Sequence, residues 1–137
     1  MIRIALSPET VRNGERISGN TTWRADGTKT PRKIDVICRW RVEGKGKMRE
    51  EIIDRVERVD VATEAVIPFE FDIPHHGPLS YDGKLLRIIW EVAVDVDLPM
   101  AFDEHQAQTF TVVARKWDPE EWKEGEEEDE EDEEEVV

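Results

Sequence analysis

Four acidic residues in the C-terminal half have the types and spacing that most readily suggest ligand chemistry. Asp95, Asp97, Asp103 and Glu104 flank the short segment Leu98-Pro99-Met100. Carboxylate oxygens on a loop between two strands are suitable ligands for Ca²⁺. One interpretation is therefore a calcium-dependent or anionic-membrane-binding domain. The leading prediction is that no metal is bound, because acidic residues at strand ends in so acidic a chain are usually solvated.

The other reactive side chains do not form a catalytic pattern. His75 and His76 are adjacent, so on an extended backbone they point in opposite directions, and His105 is remote in sequence. Ser80 does not lie in a Gly-x-Ser-x-Gly elbow. Cys38 has the strand parity of its apolar neighbours, which is typical of a small core residue. We predict that the protein is not an enzyme and has no cofactor.

Charge is distributed very unevenly along the 137 residues. The net charge of -14 divides into +7 for residues 1–49, -8 for residues 50–117 and -13 for residues 118–137. Residues 124–137 are nearly all acidic, so a compact state would not offset their chain entropy, and they are predicted to form a disordered tail. Tail and body are joined by a connector, residues 117–123, in which Asp118 is suited to cap one helical turn.

Basic side chains cluster in the first half of the sequence. They are predicted to form a patch that receives either the acidic tail or an anionic partner. Its members are Arg32, Lys33, Arg39, Arg41, Lys45, Lys47 and Arg49. Nucleic acid is not the expected partner, because no aromatic stacking motif accompanies these residues. In the connector, Trp117 and Trp122 are predicted to pack on the body, with anchoring of a partner as the alternative.

Alternation of apolar and polar residues predicts the elements that position these side chains. Apolar residues share one parity from Ala65 to Ile73, and again from Leu86 to Val96. Between these runs, Pro74, Gly77 and Gly83 predict a loop. A further strand from Ile34 to Val42 has one apolar face, and residues 48–61 are interpreted as a strand because β-branched residues dominate.

The remaining segments complete an all-β pattern. Strands are predicted near Ile2 to Leu6, from Arg16 to Trp23 after an Asn13-Gly14 turn, and from His105 to Ala114. Some seven strands without a helical segment predict an immunoglobulin-like β-sandwich of two antiparallel sheets over residues 1–116.

The run at residues 65–97 resembles the arrestin family. Its Ile67-Pro68-Phe69-Glu70-Phe71 segment and later Ser80-Tyr81-Asp82-Gly83 segment are similar to the arrestin N-terminal domain. A second similarity is the turn and strand Gly14-Glu15-Arg16-Ile17-Ser18-Gly19. Leu79 and Trp90 differ from the proline and tyrosine common there. The resemblance implies a single arrestin N-terminal-type domain, similar to the bacterial sporulation-control arrestin-like proteins, without the interdomain polar core of two-domain arrestins.

The resemblance and the residues together predict a non-enzymatic adaptor or scaffold. It is expected to bind partner proteins, or a second copy of itself, through an edge strand or a sheet face. A chaperone-like domain for basic clients is a further alternative. With one cysteine and no apolar run near the roughly 20 residues that cross a bilayer, the sequence predicts a cytoplasmic protein without a transmembrane segment. The resemblance to bacterial arrestin-like proteins implies that the protein is prokaryotic.

Overall fold

Nine β-strands and their connections make up the part of the chain that the structure describes. This computed structural model describes residues 1–46 and 48–115. The strands, in chain order, are β1 (Ile2–Ser7), β2 (Thr10–Arg12), β3 (Arg16–Arg24), β4 (Lys33–Gly44), β5 (Arg49–Val59), β6 (Glu64–Asp72), β7 (Tyr81–Asp82), β8 (Leu86–Asp97) and β9 (Glu104–Val113). These residues form no helix, and so none that is long and apolar enough to cross a membrane.

The strands form two sheets of unequal size. The smaller sheet has the order β1-β3-β6, and the larger has the order β2-β9-β8-β4-β5, with the short β7 paired to β8. Pairing is antiparallel except between β2 and β9, which run parallel with Thr10 opposite Thr111. The predicted all-β sandwich of two sheets is therefore confirmed, with this one parallel contact added.

The core lies between the sheets and is built from the predicted apolar faces. Ile67, Phe69 and Phe71 of β6 are buried against the opposite sheet, as are alternate residues of β4 and β8. Trp23 and Trp90 are the largest fully buried side chains among the described residues. Burial of such aromatic and branched side chains supplies the main driving force for a sandwich of this size.

Three features differ from the sequence prediction. Neither β2 nor β7 was predicted, because strands of three and two residues are too short to show a period. Leu86 has the parity of the core but is 40% exposed, because it lies at the end of β8 opposite Gly44.

The turn before β3 and the close pairing within the smaller sheet both depend on glycine. Gly14 has φ of +81°, which confirms the predicted Asn13-Gly14 turn. Gly19 lies opposite Leu6 and Phe69 at the centre of β3. A Cβ atom there would lie 1.9 Å from the carbonyl oxygen of Ala5, so β1 and β3 could not keep their present separation.

We expect Gly19→Ala to lower the free energy of unfolding by about 2 kcal/mol, because the backbone of β1 must move to admit the methyl group. Urea unfolding followed by circular dichroism measures the change. Gly27→Ala is the matched control, since a Cβ there meets no atom within 4 Å. Equal stability of the two variants would contradict the close approach.

Candidate functional site

The outermost strand of the larger sheet, β5, has one backbone edge that pairs with no other strand of residues 1–46 and 48–115. Its eleven residues pair with β4 on one side, and β5 is the last strand in the sheet order. Nearly all of its side chains are exposed, and only Ile53 and Val56 are partly buried. The free N–H and C=O groups along such an edge can bind an extended segment of another chain.

A bulge divides β5 into two parts. The register with β4 shifts between Cys38 and Arg39, where Asp54 lies opposite Cys38 and Ile52 opposite Arg39. Ile53 is the extra residue on β5, and the strand ends at Val59, directly before Asp60, which has φ of +54°. The regular part of the free edge is therefore Ile53 to Val59. Strand alternation places Val56 on the core side of this segment together with Asp54 and Arg58, and Arg55 and Glu57 on the outer side.

The outer face of the larger sheet carries a buried ion cluster. The side chain of Glu91 on β8 is 4% exposed. Its Oε1 atom accepts a hydrogen bond from Nε of Arg39 at 2.9 Å and another from Nε of Arg41 at 3.1 Å. Arg41 also donates from Nη1 to Glu43 at 2.9 Å. Two arginines on β4 thus compensate one carboxylate that water barely reaches.

The electrostatics of Arg41 follow from this arrangement. Partial burial acts to lower the pKa of Arg41, but hydrogen bonds and negative charge from Glu43 and Glu91 outweigh it. The pKa of Arg41 therefore lies above its ordinary value, and its guanidinium is charged throughout the physiological range. Its role in this cluster is to hold β4 and β8 together.

The predicted basic patch is spread along β4 rather than gathered at one point. Arg32 and Lys45 are thirteen residues apart along an extended strand, a distance of ~40 Å. Arg32 pairs with Asp97 at 3.1 Å, and Lys33 lies 3.5 Å from Asp35. Arg39 and Arg41 belong to the Glu91 cluster. Four members of the predicted patch are thus already engaged by carboxylates of the same sheet.

Two further members of the patch, Lys45 and Arg49, lie at the β4–β5 turn. Lys45 is exposed, and the guanidinium of Arg49 lies 5.9 Å from the centre of the Trp40 ring, at a distance typical of a cation–π contact. Lys47 lies outside the described residues, as do Trp117, Trp122, the connector at residues 117–123 and the acidic tail at residues 124–137. The predictions for these residues therefore stay predictions.

The four carboxylates considered for calcium each engage a different partner. Asp95 lies 2.6 Å from Nδ1 of His105, and Asp97 binds Arg32. Asp103 accepts from the backbone N–H of Leu98, and Glu104 lies 3.3 Å from the terminal amine of Met1. Across residues 1–46 and 48–115, no group of three or more His, Cys, Asp or Glu side chains is arranged to hold a metal ion. This geometry does not favour the calcium interpretation.

The loop between β6 and β8 is fixed to the body through polar contacts. The Oγ atom of Ser80 accepts from the N–H of Val112, and the N–H of Ser80 donates to the carbonyl of Val112. The ring of His75 lies against Gly14, and Trp90 donates from Nε1 to the carbonyl of Pro78 at 2.9 Å. Ser80 thus joins the loop to β9, which is a structural role.

Cys38 lies in the core and is chemically protected. Its side chain is fully buried, and desolvation, helped by the charge of Asp54, raises the pKa of the thiol to about 12. At pH 8 we expect its alkylation to be about a thousandfold slower in the folded protein than in urea, because thiolate is the reactive form. Mass spectrometry after iodoacetamide treatment measures both rates. Comparable rates would contradict the burial of this thiol.

Comparison with known proteins supports the architecture. The family described as arrestin (or S-antigen), N-terminal domain, matches residues 64–118. The crystal structure of Spo0M, the sporulation control protein of Bacillus subtilis, is similar with a TM-score of 0.58 and 20% sequence identity. The likeness covers 83% of this chain and 49% of that chain, so this chain spans about half the length of that relative. No curated protein sequence matches. The family match covers less than half of this chain, and the two findings support an arrestin N-terminal-domain fold.

Proposed function

We propose that this chain, arrestin-like in fold and in family match, is a non-enzymatic adaptor that binds partner proteins through the free edge of β5. The observation that carries the proposal is the position of this eleven-residue strand at the end of the larger sheet, with β4 on one side only. A partner segment in extended conformation would add to this edge as a further strand. Main-chain hydrogen bonds would supply affinity, and alternate side chains would supply specificity.

β5 is better suited to this role than the other edge strands. β1 has six residues and β2 has three, so each offers a short ladder. β6 contains Pro68, which lacks an N–H and so interrupts the pattern of donors. β5 is longer and contains no proline.

A groove next to this edge adds a place for a partner side chain. It has a volume of about 570 Å³ and lies between β5 and strands β3 and β6 of the smaller sheet. Val56 and Arg58 line it on one side, and Pro68, Phe69 and Glu70 on the other. Its lining combines apolar residues such as Val56 and Phe69 with the charged Arg58 and Glu70, a mixture that is common at protein recognition sites.

Site-specific photo-crosslinking tests the proposal. p-Benzoylphenylalanine in place of Arg55 on β5 is expected to capture a partner in cells, whereas the same group in place of Thr22 on the smaller sheet is not. Equal capture at both positions would eliminate β5 as the recognition edge.

Proline substitution gives an independent test. Successive N–H groups point to opposite edges of a strand, so of Val56 and Glu57 one directs its N–H to β4 and the other directs it to the free edge. Proline at the first of these positions breaks the ladder with β4, and proline at the second removes a free-edge donor. The variant that keeps the parent melting temperature is expected to lose capture of the partner, and undiminished capture would count against the proposal.

The acidic tail is proposed to modulate the basic surface at the β4–β5 turn. β9 ends at the same end of the sandwich as this turn, since β8 runs antiparallel to both β4 and β9. A flexible chain of about 20 residues spans about 25 Å, enough to reach Lys45 and Arg49. Several weak ion pairs, each worth about 0 to 1 kcal/mol, would hold the tail there in a salt-sensitive way.

Removal of residues 124–137 tests the role of the tail. Heparin affinity is expected to rise at low salt and to return toward that of the parent when Lys45 and Arg49 are both changed to Gln in the shortened chain. Unchanged affinity after tail removal would leave the tail with a role in solubility alone. We also propose that the protein is cytoplasmic.

A further inference from the structure

The regular part of the β5 edge is complementary to itself in charge. Residues Ile53 to Val59 read apolar, acidic, basic, apolar, acidic, basic, apolar. In reverse order the same residues read apolar, basic, acidic, apolar, basic, acidic, apolar. An antiparallel pairing of two such segments, centred on Val56, therefore places an opposite charge or another apolar residue against every position.

The four charged side chains of this segment are free to make such pairs. Within the described residues Asp54, Arg55, Glu57 and Arg58 take part in no ion pair. By contrast Glu50, before the bulge, lies 3.7 Å from Arg39. In the described part of the chain, the four side chains hydrogen-bond only to neighbouring backbone: Asp54 accepts from the N–H of Arg55, and Arg58 donates to the carbonyl of Glu57.

The pairing also keeps each face of the sheet continuous from one copy to the other. A two-fold axis perpendicular to the sheet at Val56 keeps core-side residues opposite core-side residues. Asp54 then faces Arg58 of the second copy on one side, and Arg55 faces Glu57 on the other. Shifting the axis to Arg55 or to Glu57 preserves the sides but brings identical charges together, which is destabilising.

One unfavourable feature of the single chain would be relieved by this contact. Asp35 on β4 lies between Glu57 and Asp95 in the register of the sheet, so three carboxylates stand in one row. Asp35 is 8% exposed; its Oδ2 atom lies 3.5 Å from Nζ of Lys33, but its Oδ1 atom has no hydrogen-bond partner among the described residues. An arginine of the second copy opposite Glu57 would bring a cation to the end of this row.

We propose that β5 pairs with β5 of a second copy of this chain, antiparallel about Val56, and joins the two larger sheets into one. This inference rests on the proposed function, since it names one occupant of the edge proposed there. The contact reaches from Ile53 to Val59, because the bulge precedes it and the positive φ of Asp60 turns the chain away after it. Self-pairing and capture of another protein would then compete for the same edge.

Charge reversal in the full chain tests the pairing, with sedimentation velocity as the measurement. Asp54→Arg and Arg58→Asp each place like charges opposite one another twice, so each variant alone is expected to associate about tenfold to a hundredfold more weakly than the parent. A mixture of the two variants restores opposite charges at both positions and is expected to form a heterodimer of parent affinity. Arg24→Glu, which reverses a charge on β3, is the matched control and should leave association unchanged.

The outcomes separate the two proposals. A parent chain that stays monomeric, or a mixture that associates no better than its components, would overturn self-pairing. Arg58→Asp keeps the backbone edge, so continued photo-capture of another protein by this variant would leave the adaptor proposal standing. Melting temperatures of both variants, compared with the parent, confirm that the measured species are folded.

Discussion

Trp90→Ala is expected to lower the free energy of unfolding by about 4 kcal/mol. Trp90 is fully buried on β8, its ring centre lies 6.0 Å from that of Phe110, and its Nε1 donates to the carbonyl of Pro78. The substitution leaves a cavity between the sheets and an unpaired carbonyl in the loop. Small domains are typically stable by about 5–15 kcal/mol, so this one change would remove a large share.

Urea unfolding measured by far-ultraviolet circular dichroism checks this expectation. Trp90→Phe retains much of the volume but loses the hydrogen bond, and is expected to cost about 2 kcal/mol. Leu85→Ala is the control, because Leu85 is 76% exposed and its loss should change stability little. If the Trp90→Ala and Leu85→Ala variants unfold at the same urea concentration, Trp90 does not join the loop to the core.

Glu91→Gln is expected to lower the free energy of unfolding by about 3 kcal/mol, because it leaves two partly buried arginines without their shared carboxylate. The side chains of Arg39 and Arg41 are 24% and 29% exposed, so solvent only partly compensates their charge. The loss should persist at high salt, since buried pairs are screened less than exposed ones.

Glu43→Gln is the matched control for this cluster. Among the described residues Glu43 pairs only with Nη1 of Arg41, and its side chain is 44% exposed, so its loss should cost about 0.5 kcal/mol or less. Thermal unfolding of both variants, with and without added salt, separates the two cases. Equal destabilisation would mean that Glu91 is no more important to the sheet than an exposed surface pair.

The fold was largely predictable from the sequence because its longer strands have one apolar face each. Alternation in residues 65–73 and 86–96 indicates which side chains lie between the sheets, and the structure confirms this for β6 and most of β8. The strand interpretation of residues 48–61 is also confirmed by β5. The parallel pairing of β2 with β9 was not predictable, since no local pattern in three residues encodes a partner so distant in sequence.

Electrostatic partnerships were much less predictable than strands. The basic residues of β4 suggested a patch in sequence, yet cross-strand register places Glu91 beside Arg39 and Arg41, and Asp97 beside Arg32. Register depends on tertiary pairing, so charge counts along one segment do not reveal which charges are compensated. The charge complementarity of Ile53 to Val59 can be read from the sequence, but it bears on association only because β5 is an edge strand of the larger sheet.

The parallel contact of β2 with β9 has a consequence for how the chain acquires its structure. Val11 adjoins Val112, and Arg12 donates to the carbonyl of Ala114 across a separation of 102 residues. During synthesis β2 must therefore wait until almost the whole domain has left the ribosome before its partner strand β9 is available. Such high contact order implies slow completion of the larger sheet, with β2 unpaired until β9 has been synthesised.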